Sequence, residues 1–303
     1  MLIKKSTMKK IYLLVLSTII TFGCAEVKNK KTPVSKPSAE ILMKESMQRF
    51  SSAWNQGDAI KISEEFTDDA IRVISNPLSP IRGRNSIKEG FLTTFSDESD
   101  FKDSHIEVEV IQTRSVSEDI YLGTGRFRIL NPQNEIIEQG KWGNVFKYEN
   151  DQIKFLMESA HRASKELMPS KEVSVMEASI VSEEPHFEKI EESVSSYVSN
   201  YNDKNSEGIS LLFTENGIQN INSKEDIILG RQQIKETESF TDGDVLNANI
   251  LGYKYLGNNI AVAYGKWTSN TKDGSTINGQ WGNLFKIDGE KALLIMESAG
   301  TIQ

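Results

Sequence analysis

Two carboxylates occur in identical settings. Glu158 stands in Met157-Glu158-Ser159-Ala160 and Glu297 in Met296-Glu297-Ser298-Ala299. Ahead of each runs a second shared stretch, Gly140-Lys141-Trp142-Gly143-Asn144-Val145-Phe146-Lys147 and Gly279-Gln280-Trp281-Gly282-Asn283-Leu284-Phe285-Lys286. On a strand, period two puts Trp142, Asn144 and Phe146 on one face, and Trp281, Asn283 and Phe285 likewise. An Asn between two aromatics on an apolar face needs a hydrogen-bond partner, from backbone, water or a ligand. These six are the candidate ligand contacts, the first trio ahead of the second. A carboxylate on the same apolar face would gain proton affinity and could act as a base; on the other face it is a solvated charge.

Hairpin register decides the facing. Asp288-Gly289 as a two-residue turn pairs Trp281 with Met296 and sends Glu297 to the outer face. A one-residue bulge after that glycine would bring Glu297 to the side of Trp281. Asn150 corresponds to Gly289, and both tolerate a positive φ. Both arrangements therefore stay open, with the outer face preferred. His161, close to Glu158 in the chain, is the other catalytic candidate; it maps onto Gly300, and His105 and His186 also lack counterparts. No HExxH, cysteine pair, glycine-rich phosphate loop or GxSxG occurs, so neither metal nor cofactor is expected.

The shared motifs recur at an offset of 139 residues. Earlier pairs, Glu45-Ser46 with Glu192-Ser193, Trp54 with Tyr201, Phe66-Thr67 with Phe213-Thr214 and Gly83-Arg84 with Gly230-Arg231, lie 147 apart. The chain is therefore a tandem duplication of a domain-sized unit, with the second copy shorter in its middle. Each copy is long enough for its own core. The expected organisation is a signal segment over 1–23, a tether over 24–39, a first domain over 40–164, a linker over 165–186 and a second domain over 187–303.

Lys4, Lys5, Lys9 and Lys10 precede an apolar run, Ile11 to Phe22, too short to span a bilayer. The run ends at Thr21-Phe22-Gly23-Cys24, which resembles the signal of a bacterial lipoprotein, with Cys24 as the acylated first residue. Cys24 is the single cysteine, which excludes an intrachain disulfide. The resemblance implies a lipid anchor in the bacterial envelope, on its periplasmic or cell-surface face. Residues 24–39 are Lys- and Pro-bearing with little apolar content, a disordered tether. The first copy carries 15 basic and 21 acidic residues and the second 10 and 16, each net −6. Acidic globules on a basic tether argue against nucleic acid and suit a membrane surface.

Each copy patterns as helices followed by strands. In the first, helices are expected over 40–55, from Asp58 to Glu65, and from Asn85 or Ser86 to Phe95. Strands are expected over 70–75, 105–117, 120–130, 136–148 and 153–161. The second repeats the series: helices 187–202, 205–213 and 231–240, a strand near 217–221, then strands from Leu246, Ile260, Thr276 and Ala292. This is an α+β signature. Trp54 belongs to the apolar stripe of the first helix, and Arg84 and Arg231 sit at a turn into the third.

Trp54-Asn55-Gln56-Gly57-Asp58, Phe66-Thr67-Asp68-Asp69-Ala70 and Ile81-Arg82-Gly83-Arg84 resemble the SnoaL-like, ketosteroid-isomerase-like group of the nuclear transport factor 2-like superfamily. The second copy departs at Tyr201-Asn202-Asp203-Lys204-Asn205 and Thr214-Glu215-Asn216-Gly217. The resemblance implies two cone-shaped α+β barrels, each with three helices on a curved antiparallel sheet and an apolar pocket at the open end. Such folds host enzymes, binders and interaction modules. The leading expectation is capture, without turnover, of a small apolar or amphipathic ligand or a protein partner. An isomerase- or cyclase-like enzyme using Glu158, aided by His161, is the alternative. A purely architectural pseudo-dimer, paired within one chain through its sheets, is the third. The first copy is the expected site, because it keeps the Trp54-to-Asp58 motif, Arg126, Arg128 and His161.

Overall fold

The computed structural model describes residues 36–75, 79–163 and 176–302. The signal segment, Cys24, the tether up to residue 35 and the first part of the linker lie outside the described residues. The rest divides into two α+β halves of matching element order. The first runs α1 (Ala39–Asn55), α2 (Ala59–Glu64), β1 (Phe66–Ile74), β2 (Ile81–Arg82), α3 (Arg84–Thr94), β3 (His105–Ser115), β4 (Ile120–Leu130), β5 (Ile136–Glu149) and β6 (Gln152–Arg162). The second runs α4 (Phe187–Asn202), α5 (Ser206–Leu211), β7 (Phe213–Ile221), β8 (Ile228–Leu229), α6 (Arg231–Thr237), β9 (Val245–Ala248), β10 (Gly252–Gly257), β11 (Ile260–Asn270), β12 (Thr276–Asp288) and β13 (Lys291–Thr301).

Local signals account for these limits. Ser38 Oγ accepts from Ile41 N and starts α1, which buries Leu42, Met43, Met47, Phe50 and Trp54 at helical spacing. Gly57, at φ +62°, ends it, and Asp58 caps α2 through Lys61 N at 3.0 Å. In the second half Lys204 takes the same left-handed place at φ +56°, and Asn205 is the cap. Arg84 and Arg231 are structural: each donates to the carbonyl that opens the strand behind it, Phe66 O and Phe213 O. Part of the shortening of the second copy falls on the third helix, 11 residues in α3 against 7 in α6. The strand expected from Leu246 divides into β9 and β10, and the strand expected near 217–221 begins earlier, at Phe213.

The first sheet has the order β2-β1-β6-β5-β4-β3 and the second β10-β11-β12-β13-β7-β8, with β9 also on β11. Neighbours are antiparallel except β1 with β6 and β7 with β13. In each half the helices cover one face and enclose a core, around Phe50, Phe66, Phe91 and Phe155 in the first and Phe187, Ile190, Phe213 and Phe285 in the second.

The opposite faces of the two sheets meet in a third apolar cluster containing Val73, Val145 and Met157 with Ile218, Leu284 and Met296. Its centre is two-fold in character. Ser159 Oγ donates to Ser298 O and Ser298 Oγ to Ser159 O, both at 3.4 Å. His161 and Gly300, equivalent positions, also meet there: a Cβ on Gly300 would lie 2.4 Å from His161 Cβ. Only one copy can carry a side chain at that place. Segment 176–186, within the expected linker, lies along the second half, with Ile180 N donating to Ile250 O and Tyr253 Oη to Pro185 O.

Candidate functional site

Both closing hairpins are bulged, which overturns the preferred outward facing of the carboxylates. β12 and β13 turn through Gly289-Glu290, one residue later than expected, with Asp288 opposite Lys291. The pairs Phe285↔Leu294 and Leu284↔Met296 then leave Ile295 as an extra residue. In the first half Phe146↔Phe155 and Val145↔Met157 leave Leu156 extra in the same way. One added residue flips all that follows to the other face. Glu158 and Glu297 consequently face the helices, beside Asn144 and Asn283. The bulge frees one backbone N–H in each half, and the Asn takes it: Ser159 N donates to Asn144 Oδ1 at 2.9 Å and Ser298 N to Asn283 Oδ1 at 3.1 Å. Both asparagines thus have a structural duty, and both also line a cavity.

The first cavity has a volume of about 170 Å³ and is lined by Trp54, Trp142, Asn144 and Glu158 among others. Phe146 lies beneath its floor, fully buried against Phe155. Glu158 is not free there. Arg72, on the adjoining strand, forms a buried ion pair with it, with Arg72 Nε donating to Glu158 Oε2. The guanidinium also sits 4.2 Å from the centre of the Phe91 ring. The carboxylate is thus committed to Arg72. His161 does not join it, because its ring lies on the other face, among the residues between the sheets. There Nε2 meets Ser159 Oγ at 3.0 Å and Nδ1 has no partner among the described residues. Burial lowers its pKa to about 3, so the imidazole is neutral. Arg126 and Arg128 are both engaged in ion pairs near the surface, with Asp226 and Glu107.

The second cavity, about 150 Å³, is lined by Trp281, Asn283, Phe285 and Glu297 together with Tyr197, Trp267 and Ser269. Gln219 takes the position of Arg72, opposite the carboxylate on the parallel strand. Its Nε2 donates to Glu297 Oε2 at 3.0 Å. Tyr197, at the position of Phe50, hydrogen-bonds the same carboxyl group. Glu238 stands behind Gln219, and Lys224 Nζ bridges Gln219 Oε1 at 2.5 Å and Glu238 Oε2 at 3.0 Å. An amide in place of a guanidinium removes the counter-charge. Burial, with Glu238 adding repulsion, raises the pKa of Glu297 to about 7 against the pull of Gln219, Tyr197 and Lys224. Burial and the same two carboxylates push the Tyr197 phenol well above its usual range.

Two further differences separate the cavities. Phe127 and Ile129 of β4 become Trp267 and Ser269 of β11: the first pair stands opposite Gly140 and Gly279, the second opposite the equivalent Glu138 and Ile277. Trp267 Nε1 and Ser269 Oγ are buried and have no hydrogen-bond partner among the described residues. The cavity that the sequence ranked second is therefore the one with an uncompensated acid and unspent donors. Tyr197, Gln219, Trp267 and Ser269 were not among the expected residues. Carrying the 147-residue offset into β1 and β7 would have set Gln219 against Arg72.

No family model and no curated relative matches the chain. Solved structures resemble it over 40–57% of its length. An NTF-2-like protein of unknown function from Shewanella oneidensis MR-1 is 11% identical, covering 40% of this chain and 98% of its own, with a TM-score of 0.36. A domain with a cystatin-like fold from Nostoc punctiforme PCC 73102 is 16% identical over 57% of this chain and 96% of its own, at 0.37. A ketosteroid isomerase-like protein from Erwinia carotovora atroseptica SCRI1043 is 11% identical over 41% and 95%, at 0.34. The neighbours are NTF2-like, cystatin-like and ketosteroid isomerase-like. At these values the likeness concerns fold and says nothing of chemistry.

Proposed function

We propose that the second-half cavity binds a small, largely apolar, uncharged molecule carrying a hydrogen-bond-accepting oxygen, with Glu297 as a group that gives or takes a proton near neutral pH. The observation that carries this reading is Glu297, buried at 6% exposure, hydrogen-bonded to an amide and in no ion pair among the described residues. Desolvated acids with a proton affinity near the working pH concentrate at functional sites. Trp267 Nε1 only donates and has no partner, so the complementary ligand atom is an acceptor. Two neighbouring carboxylates disfavour an anion. Binding without turnover is the primary reading. Proton transfer to or from a bound carbonyl compound is the second, favoured specifically by the proton affinity of Glu297.

The test uses cyclohexanone, cyclohexanol and methylcyclohexane as probes of thermal stabilisation. Trp267→Phe should weaken the oxygenated probes by up to roughly tenfold and leave the hydrocarbon unchanged, the size of one neutral hydrogen bond. Loss of all three in equal measure, or no stabilisation by any, would refute the site. Hydrogen exchange next to the ketone in D2O, abolished in Glu297→Gln, would add turnover; its absence in wild type leaves binding alone.

We also propose a lipid anchor at Cys24. Cys24→Ala should move the protein from the detergent phase to the soluble or uncleaved fraction. Unchanged partition with normal processing counts against it.

A further inference from the structure

Lys141 lies on the outer face of β5, in the first half, and is 4% exposed. Its ammonium crosses to the second half and donates to three backbone carbonyls, Ile221 O at 2.6 Å, Lys224 O at 2.6 Å and Asp226 O at 3.2 Å. These carbonyls belong to the end of β7 and the loop after it. Arg126 Nη2 pairs with the Asp226 carboxylate at 2.7 Å, and Asn222 Nδ2 donates to Arg162 O at 3.0 Å. The first half thus grips this one segment at several points. The segment has two roles in the second half: Ile221, Asn222 and Ser223 line the cavity, and Lys224 carries the ammonium nearest the Gln219–Glu238–Glu297 group.

We propose that Lys141 is a positioning residue through which the first half sets the shape and charge environment of the second half's cavity. It does so by holding the Ile221–Asp226 segment so that Lys224 reaches Gln219 and Glu238. This rests on the reading of that cavity as an acid–base site and adds its dependence on the other copy. The equivalent of Lys141 in the second half is Gln280, which has no ammonium, so the device runs one way. A carbonyl cradle suits an ammonium, which presents three donors and no acceptor. Burial lowers the Lys141 pKa to about 8, with Arg126 and Lys224 adding repulsion and Asp226 opposing it, so the charged form still prevails at neutral pH. An apolar side chain there would take the ammonium from all three carbonyls, leaving Ile221 O with only Lys224 N at 3.3 Å, and the segment would have to move.

The experiment is a pH titration of the glutamate side-chain carboxyl signals by carbon-13 NMR on the full chain, with the Glu297 signal assigned by its loss in Glu297→Gln. The midpoint near 7 in wild type should rise by roughly half a unit or more in Lys141→Met, because the Lys224 charge that favours the carboxylate is displaced. Lys224→Met should raise it in the same sense with the cradle intact. Amides of residues 222–227 should exchange faster in the Lys141 variant only. A midpoint near 7 that neither substitution moves overturns this proposal alone. If Lys141→Met fails to fold, an unmoved midpoint in Lys224→Met has the same force. A wild-type midpoint in the ordinary carboxyl range removes the acid–base reading itself, and the proposal with it.

Discussion

Glu158 and Glu297 occupy the same place on equivalent strands, yet one faces a guanidinium and the other an amide. The exchange of Arg72 for Gln219 makes the first carboxylate half of an ion pair and the second a titratable acid. Gln219→Arg should therefore lower the Glu297 midpoint from about 7 by about 1–3 pH units. Arg72→Gln removes one partner of a buried pair and should destabilise the protein by about 3–5 kcal/mol in denaturant titration. Glu297 also makes stability depend on pH. Its folded value, about 7, exceeds the ordinary 4.5, so the folded state binds the extra proton. The stability this contributes is present below about 4.5 and is lost as pH rises through 7. Glu297→Gln should flatten that part of the stability profile; a profile unchanged between pH 5 and 8 would show that the group is not held protonated. None of this could be seen in the shared Met-Glu-Ser-Ala tetrapeptides, which are identical. The difference resides on another strand, about 80 residues away in each half, where Arg72 and Gln219 stand.

Individual elements were largely legible in the sequence. Asp58 caps the helix start expected of it, the helix expected from 205 has Asn205 as its cap, and β4 falls over Ile120–Leu130 as expected, whereas Ser38, assigned to the tether, turns out to cap α1. Hairpin register was not legible, because a bulge costs one residue and leaves the hydrophobic pattern almost intact. Leu156 and Ile295, the extra residues, are apolar like their neighbours and are buried between the sheets. What marks the bulge is Asn144 and Asn283, whose side chains accept the N–H that the ladder drops. Asn283→Leu should then cost about 1–3 kcal/mol of stability, the usual effect of leaving a buried backbone N–H unpaired. Asn283→Asp, which keeps an acceptor, should cost less below the point where its own carboxyl ionises. Equal stability of Asn283→Leu and wild type in urea would mean that the bulge is held by packing alone. By the same reasoning Asn144→Leu should also destabilise the protein, since Ser159 N depends on that oxygen.

On the scale of the whole molecule, duplication was plain from two motifs at one offset, and an α+β fold in each copy followed from helices preceding strands. Which copy keeps a working site was not plain. Motif retention favours the first half, whereas the uncompensated acid and the unpartnered donors sit in the second. Motifs such as Trp54-to-Asp58 shape a helix, its break and the next cap, so their survival reports on folding rather than on chemistry. His161 is the other lesson: a histidine near a carboxylate in the chain suggests a catalytic pair, but three positions along one strand put the two on opposite faces, and the bulge-set register sends His161 between the sheets. Its role there can be tested through pH. The folded value, about 3, is below the ordinary 6.5 because burial excludes the charged ring. The unfolded chain therefore binds the extra proton, and the stability from keeping the ring neutral is present above 6.5 and is lost as pH falls towards 3. One such group contributes a slope of at most about 1.4 kcal/mol per pH unit over that window. Replacing it by His161→Gln should reduce the acid slope by up to that amount, with Glu297→Gln as background so that the opposing titration is silent. Because His161 abuts Gly300 at the centre of the contact, acid should also loosen the halves from each other. A protease cut in segment 164–175 followed by size-exclusion chromatography reads this directly. Cut protein should elute as one species at pH 7.5 and separate more readily at pH 4, and His161→Gln should keep it together at the lower pH. Separation at both pH values would show that the apolar contact does not hold the halves on its own.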